Sequence, residues 1–285
     1  MTTDQRPIGV FDSGIGGLSV LQALQKELPH ERFVYIADNA HAPYGEKSEA
    51  FISQRSHAIA EHLLAQHHIK ALVVACNTAT AVAIHELRSR HPTLPLVGVE
   101  PALKPALALS QTRRIGVIAT RGTVGSDKFA RLLDSVQDGA QFVVQACNGL
   151  ALAIEQSTLP DQAAAAQEHI THLLKTYTQA MGRFGSAPGE IDTLVLGCTH
   201  YVFVQNELRT LVGPDVQLVS TGEPVARQTR RLLAAAGFLH ASPVAETQRL
   251  HLFTTGDLKG LQAAAKRWLG LPPHLCQAVP ASLQT

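Results

Sequence analysis

The sequence predicts an α/β protein: two similar doubly wound α/β domains with mostly parallel sheets and a functional site in the cleft between them. Short apolar runs alternate with longer amphipathic stretches, the signature of repeated strand–helix units. The chain also repeats itself loosely. One half opens with Ile8-Gly9-Val10 and later carries Leu72–Thr78; the other opens with Ile115-Gly116-Val117 and later carries Leu194–His200. In each half a cysteine follows an apolar strand, at the carboxyl edge where open α/β sheets bind ligands.

Taken in order, Ile8–Phe11 and Phe33–Ala37 are the first two strands. The stretch Ser48–His68 reads as a helix, with Ile52, Ile59 and Leu63 on one face and His57, Glu61 and His68 on another. Ala71–Ala75 is the third strand, and Pro92 and Pro95 punctuate the entry to the fourth, Leu96–Val99. Ile115–Ala119, Phe142–Ala146 and Thr193–Gly197 follow, then a strand–helix unit over Val216–Gly237 beginning with Val216–Val219. A weakly patterned tail covers Leu250–Thr285. Pro101–Pro105 and Val212–Pro214 are the expected crossings between domains.

Composition narrows the function. A chain of 285 residues divides into about two domains. Its 24 basic and 23 acidic residues leave a net charge of +1, without the basic excess of a nucleic-acid binder. The least polar stretch, Ala71–Ile84, falls short of the ~20 apolar residues of a membrane span. The amino-terminal MTTDQRPIGVFDSG has no signal-peptide pattern. Four cysteines in such a chain form no disulfide framework, so a reducing cytoplasm is expected.

Asp12-Ser13-Gly14-Ile15-Gly16-Gly17 follows the first strand, a glycine-rich turn that offers backbone N–H groups to an anion. With Asp38 at the end of the next strand it invites a dinucleotide reading. The spacing fails where Ser19 stands for the last glycine, and Asp12 would set a carboxylate against the pyrophosphate. Cys76-Asn77-Thr78 and Cys198-Thr199-His200 occupy matching positions and argue for a pair of thiols. Neither has the close ligand pairing of a zinc site. Two thiols on opposite sides of one carbon suit stereoinversion: one thiolate removes a proton as the opposite thiol delivers another. Asp12 and His200 are placed to steer proton transfer at one cysteine each. Cys147 and Cys276 read as core or loop packing, and His62, His67 and His68 as solvated. Ala42–Ser48 is a tight loop that can offer N–H groups to a carboxylate, and Thr120, where the second half's first strand ends, can donate similarly.

The segments FDSGIGGLSVL (Phe11–Leu21), YIADNAHAPYGEKS (Tyr35–Ser48), VVACNTATA (Val73–Ala81), IGVIATRGTVGS (Ile115–Ser126) and LVLGCTHY (Leu194–Tyr201) resemble, in order, the cofactor-independent aspartate/glutamate racemase family, and within it the branch acting on glutamate. The resemblance implies a cytoplasmic isomerase, monomer or homodimer, that interconverts L- and D-glutamate for peptidoglycan synthesis. It implies neither pyridoxal phosphate nor metal. It implies a first domain over 1–100 completed by 214–285, and a second over 101–213. Cys76 would act on the D-enantiomer and Cys198 on the L-enantiomer, assisted by Asp12 and His200. Asp12, Ser13, Tyr44, Gly45, Asn77, Thr78, Thr120, Thr199 and His200 would contact substrate. Val99–Ala106 is similar to the proteobacterial branch, some of whose members respond to a UDP-linked muramyl-alanine, which makes that precursor a candidate activator. Val202-Phe203-Val204 departs from the proline and aliphatic residues usual after the second cysteine motif. Other readings carry their own expectations. An aspartate racemase keeps the fold and changes the substrate. A hydrolase built on Cys198 and His200 leaves Cys76 dispensable. An amino-acid binding module binds one enantiomer without inverting it.

Overall fold

The computed structural model describes residues 4–136, 139–240, 242 and 249–284; of the segments read above, residues 1–3 of the amino-terminal stretch and residue 285 of the tail lie outside the described residues. In chain order the elements are β1 (Ile8–Asp12), α1 (Leu18–Glu27), β2 (Phe33–Ala37), α2 (Glu49–His67), β3 (Ala71–Val74), α3 (Asn77–Arg90) and β4 (Leu96–Gly98). Next come α4 (Leu103–Leu109), β5 (Arg114–Ala119), α5 (Arg121–Val124), α6 (Asp127–Asp134), β6 (Gln141–Ala146), α7 (Leu150–Gln156), α8 (Ala163–Met181), β7 (Thr193–Leu196), α9 (Gln205–Val212) and β8 (Gln217–Val219). The chain closes with α10 (Gly222–Ala236), β9 (Leu250–Thr254), α11 (Leu258–Leu269), β10 (Cys276–Ala278) and α12 (Ala281–Gln284).

These elements form two compact units. One comprises the residues up to Val99 with those from Gly222 onward; the other is Glu100–Thr221. The first unit holds a six-stranded sheet in the order β10-β9-β2-β1-β3-β4, every pair parallel. Because each parallel connection lays a helix over the sheet, both faces are covered and the strands read as continuous apolar runs. β1, β2 and β3 are accordingly buried at every position. The chain leaves β1 for β2 on one side and comes back to β3 on the other, so the order reverses between β1 and β3. That reversal splays the connections apart at the strand carboxyl ends and opens a crevice for ligands.

The second unit repeats this plan in the order β6-β5-β7-β8, again all parallel, with the reversal between β5 and β7. The correspondence Ile8/Ile115 and Cys76/Cys198 read from the sequence is thus a correspondence of sheet positions: β1 matches β5, and β3 matches β7.

Three differences from the sequence reading have clear causes. Val216–Val219 begins no return to the first unit. It pairs with β7, Val219 opposite Val195, and the Gln217 amide donates to the Asp192 carbonyl, so the crossing falls at Gly222 rather than residue 214. The weakly patterned tail contains β9 and β10. β9 lies between β2 and the edge strand β10; Leu250, Leu252 and Thr254 are buried, Phe253 is half-buried and His251 is exposed. His57 also departs from its expected polar face. It is only 8% exposed because α2 packs against α3, where its Nε2 meets Glu86 Oε2 at 3.0 Å.

Candidate active site

In the first unit the reversal between β1 and β3 brings Asp12, Ser13 and Cys76 together. Asp12 ends β1, fully buried, and its Oδ1 accepts from the Ser13 amide at 2.7 Å and the Ser13 hydroxyl at 3.2 Å. Cys76, the cap residue of α3, donates from its thiol to Ser13 Oγ at 3.6 Å and accepts the Ala79 amide at 3.5 Å. Thiol, hydroxyl and carboxylate therefore form one line of hydrogen bonds. Burial, followed by the Asp12 charge, pushes the Cys76 thiol well above its ordinary range, so the sulfur holds its proton near neutral pH.

Gly17 makes this arrangement possible. A Cβ there would lie 2.7 Å from Asp12 Cβ, 2.9 Å from the Tyr35 hydroxyl and 3.1 Å from Ala75 Cβ. Only a bare backbone lets the turn after β1 close down on Asp12. Tyr35 fixes the same turn by donating to the Gly14 carbonyl at 2.6 Å.

Asn77 and Thr78 form the first turn of α3, buried at 4% and 3% exposure. Asn77 Nδ2 donates to the Val99 carbonyl at 3.4 Å, while its buried Oδ1 has no hydrogen-bond partner among the described residues. A buried acceptor left this way is costly unless a ligand donor meets it. Tyr44 and Gly45 lie in a short 3-10 helix, Tyr44–Glu46. The Tyr44 ring packs in the same apolar cluster as Phe11 and Cys76, and its hydroxyl donates to Asp38 Oδ2.

Asp38 is not disposed as the dinucleotide reading requires. It is fully buried, and its carboxylate is bound by Arg55 at 2.8 and 3.0 Å, by Thr255 at 2.8 Å and by the Tyr44 hydroxyl. Burial alone would raise its pKa; Arg55 and then Tyr44 outweigh burial and hold the carboxyl below the usual range. The carboxylate is committed to the protein interior.

The second unit places Cys198 just past β7, as the cap of a 3-10 helix over Thr199–Val204, and Thr120 just past β5, capping α5 through the Thr123 amide. Gly197 is required here too, since its Cβ would come within 2.9 Å of both Ala119 Cβ and the Ile118 carbonyl. Cys198 Sγ lies 3.6 Å from His200 Nδ1, and His200 Nε2 lies 2.6 Å from Glu155 Oε1. Burial opposes a charged His200, yet the hydrogen bonds to Cys198 and Glu155 prevail and raise its pKa well above the ordinary histidine value. A cationic imidazole beside the sulfur is the arrangement that activates thiols for proton transfer.

Thr199 is buried beside them, at 3% exposure. Cys147 is core, as expected, and lies close enough to Cys198 for their charges to interact; burial first, and Cys198 second, raises its thiol pKa. Cys276 is buried as well. Glu155 was not legible in the sequence: it sits on α7, far from His200 along the chain, and no local pattern marks it. Arg55 is likewise an unflagged residue of α2. Among the described residues no group of three or more His, Cys, Asp or Glu side chains is arranged to hold a metal ion, and no helix is long and apolar enough to cross a membrane.

The sequence profile of the Asp/Glu/hydantoin racemases matches residues 8–229. The chain is 47% identical to the glutamate racemase of Ectopseudomonas mendocina over 270 residues, covering 95% of this chain and 97% of that protein. Among solved structures, a glutamate racemase isoform from Bacillus anthracis superposes with a TM-score of 0.80 at 31% identity, covering 98% of each chain. The Escherichia coli glutamate racemase, solved with L-glutamate and the activator UDP-MurNAc-Ala, superposes with a TM-score of 0.76 at 32% identity, covering 92% of this chain and 95% of that one.

Proposed function

The chain belongs to the Asp/Glu/hydantoin racemase family and is an isomerase of its glutamate racemase branch, and from that premise we propose that it inverts glutamate at Cα by two-base proton transfer between Cys76 and Cys198. One observation carries the reading: the reversal point of each sheet bears one cysteine, and each cysteine has its own proton-handling partners. On L-glutamate, Cys198 with His200 beside it takes the α-proton, and Cys76, held as a thiol, delivers its proton to the other face. In the reverse direction Cys76 passes its proton through Ser13 to Asp12 and takes the α-proton of D-glutamate, while Cys198, given a proton by His200, delivers it as a thiol to the opposite face.

The carbanion formed without a carbonyl-type electron sink demands a dry site lined with hydrogen-bond donors. Backbone and hydroxyl groups at Ser13, Tyr44, Gly45, Thr78, Thr120 and Thr199 fill that role in this reading, and the unmatched Asn77 Oδ1 receives the substrate ammonium. Glutamate is favoured over aspartate by the identity to glutamate racemases. The enzyme is further proposed to act in the cytoplasm, supplying D-glutamate for peptidoglycan, with domain boundaries near Val99 and Thr221. A UDP-linked muramyl-alanine is its proposed activator, on the likeness of Val99–Ala106 to the proteobacterial branch and the ligand of the Escherichia coli relative.

The test is a racemisation assay with L- and D-glutamate, no cofactor added, with and without the muramyl precursor. Wild-type protein interconverts the two. Cys76→Ser and Cys198→Ser each lose turnover by about a thousandfold or more while keeping the native circular dichroism spectrum. Full turnover by Cys76→Ser would instead favour a Cys198–His200 mechanism with one active thiol.

A further inference from the structure

We propose that Arg55 is a positioning residue for the substrate loop, and that it couples this loop to α12, more than two hundred residues away in the chain. The proposal rests on the glutamate racemase reading, in which Tyr44 and Gly45 meet substrate. Its observation is one guanidinium shared between two ends. Arg55 Nε and Nη2 donate to Asp38 Oδ2 and Oδ1 at 3.0 and 2.8 Å, and the same Nη2 donates at 2.8 Å to the Leu283 carbonyl in α12. Asp38 in turn accepts the Tyr44 hydroxyl, and its amide donates to the Asp12 carbonyl at 2.9 Å.

The chain of contacts thus runs from α12 through Arg55 and Asp38 to Tyr44 and to the backbone of Asp12. It is wholly buried: Arg55 is 5% exposed, Asp38 0% and Tyr44 1%. Leu283, 5% exposed, packs in the apolar cluster that contains Tyr44 and Cys76. Only a planar fork serves here, because two donors must span one carboxylate while one of them also reaches a carbonyl. A lysine ammonium keeps the charge and loses that geometry. Arg55 touches none of the reacting atoms, so its effect falls on how well the loop is preset for substrate, that is, on KM.

Enantiomers have equal free energy in water, so the equilibrium constant is one and kcat/KM is equal in the two directions for every variant. A change confined to loop positioning must therefore raise KM for both enantiomers together. Two variants test this: Arg55→Lys, and a chain stopped after Pro280, which removes the Leu283 carbonyl without touching Arg55. The expected result for each is a KM raised about tenfold for L- and D-glutamate alike, with kcat within about twofold of wild type. Combining the two changes adds less than the product of the single effects, since both break one contact.

A folded variant with unchanged KM, or one whose kcat falls while KM holds, overturns the proposal. So does full multiplicativity in the double variant. If Arg55→Lys does not fold, the shortened chain alone decides, and if neither folds, Arg55 and α12 serve the fold and the proposal fails. Wild-type protein that does not racemise glutamate overturns the underlying reading instead, an outcome visible before any variant is made.

Discussion

Glu155 hydrogen-bonds His200 and, second to Cys198, raises the pKa of its imidazole. The two side chains are nearly dry, 11% and 3% exposed, and 2.6 Å apart. Since His200 binds its proton more tightly in the folded protein than in the unfolded chain, protons favour the folded state. This contribution is complete below about pH 6.5 and is lost as pH climbs through the raised folded value. Glu155→Gln keeps a hydrogen-bonding group and removes the anion. Its melting temperature should fall less steeply than that of wild type between pH 6.5 and 9, and its turnover optimum should move to lower pH. Parallel melting curves for the two proteins would contradict this account of His200. On the other side, Cys76 keeps its proton because burial and Asp12 both penalise a thiolate, which suits an acid that must donate to a carbanion.

At the scale of elements, the site depends on how tightly two strand-to-helix turns close. Gly17→Ala places a methyl within van der Waals distance of Asp12, Tyr35 and Ala75, three groups with little room to move. Overpacking of this kind costs about 1–3 kcal/mol, and here the displaced group is Asp12. The variant should melt several degrees lower and lose activity out of proportion to its lost stability; thermal melts beside kinetics at a temperature where the fold is intact check both halves.

The same turns explain what the sequence could reveal. A central parallel strand must be apolar along its whole length, so β1, β3, β5 and β7 are conspicuous, and a polar residue just past such a run stands out. Asp12, Cys76, Thr120 and Cys198 are legible in this way. β9 was hidden because its outward positions, such as His251, break the run, and β10 because three residues between a proline-containing 3-10 turn and Pro280 carry too little pattern. Glu155 and Arg55 were hidden for another reason. Their meaning lies in partners on other elements, His200 and Asp38, and no local spacing encodes a contact between distant segments.

At the scale of the molecule, the two units carry the same four-strand core order, with β9 and β10 added at one edge of the first. In each, a cysteine stands at the equivalent reversal point, but the partners differ: a hydroxyl and carboxylate in one, an imidazole and carboxylate in the other. That asymmetry matches the chemistry. In the proposed mechanism separate thiols serve the two faces of Cα. The most direct test is the initial conversion of L-glutamate in deuterated water, with deuterium at Cα followed in substrate and product separately. Two thiols predict D-glutamate that carries deuterium from the first turnovers, while the remaining L-glutamate keeps its proton. D-Glutamate that retains the original proton, or L-glutamate that exchanges before it inverts, would mean a single base working both faces and would contradict the assignment of Cys76 and Cys198.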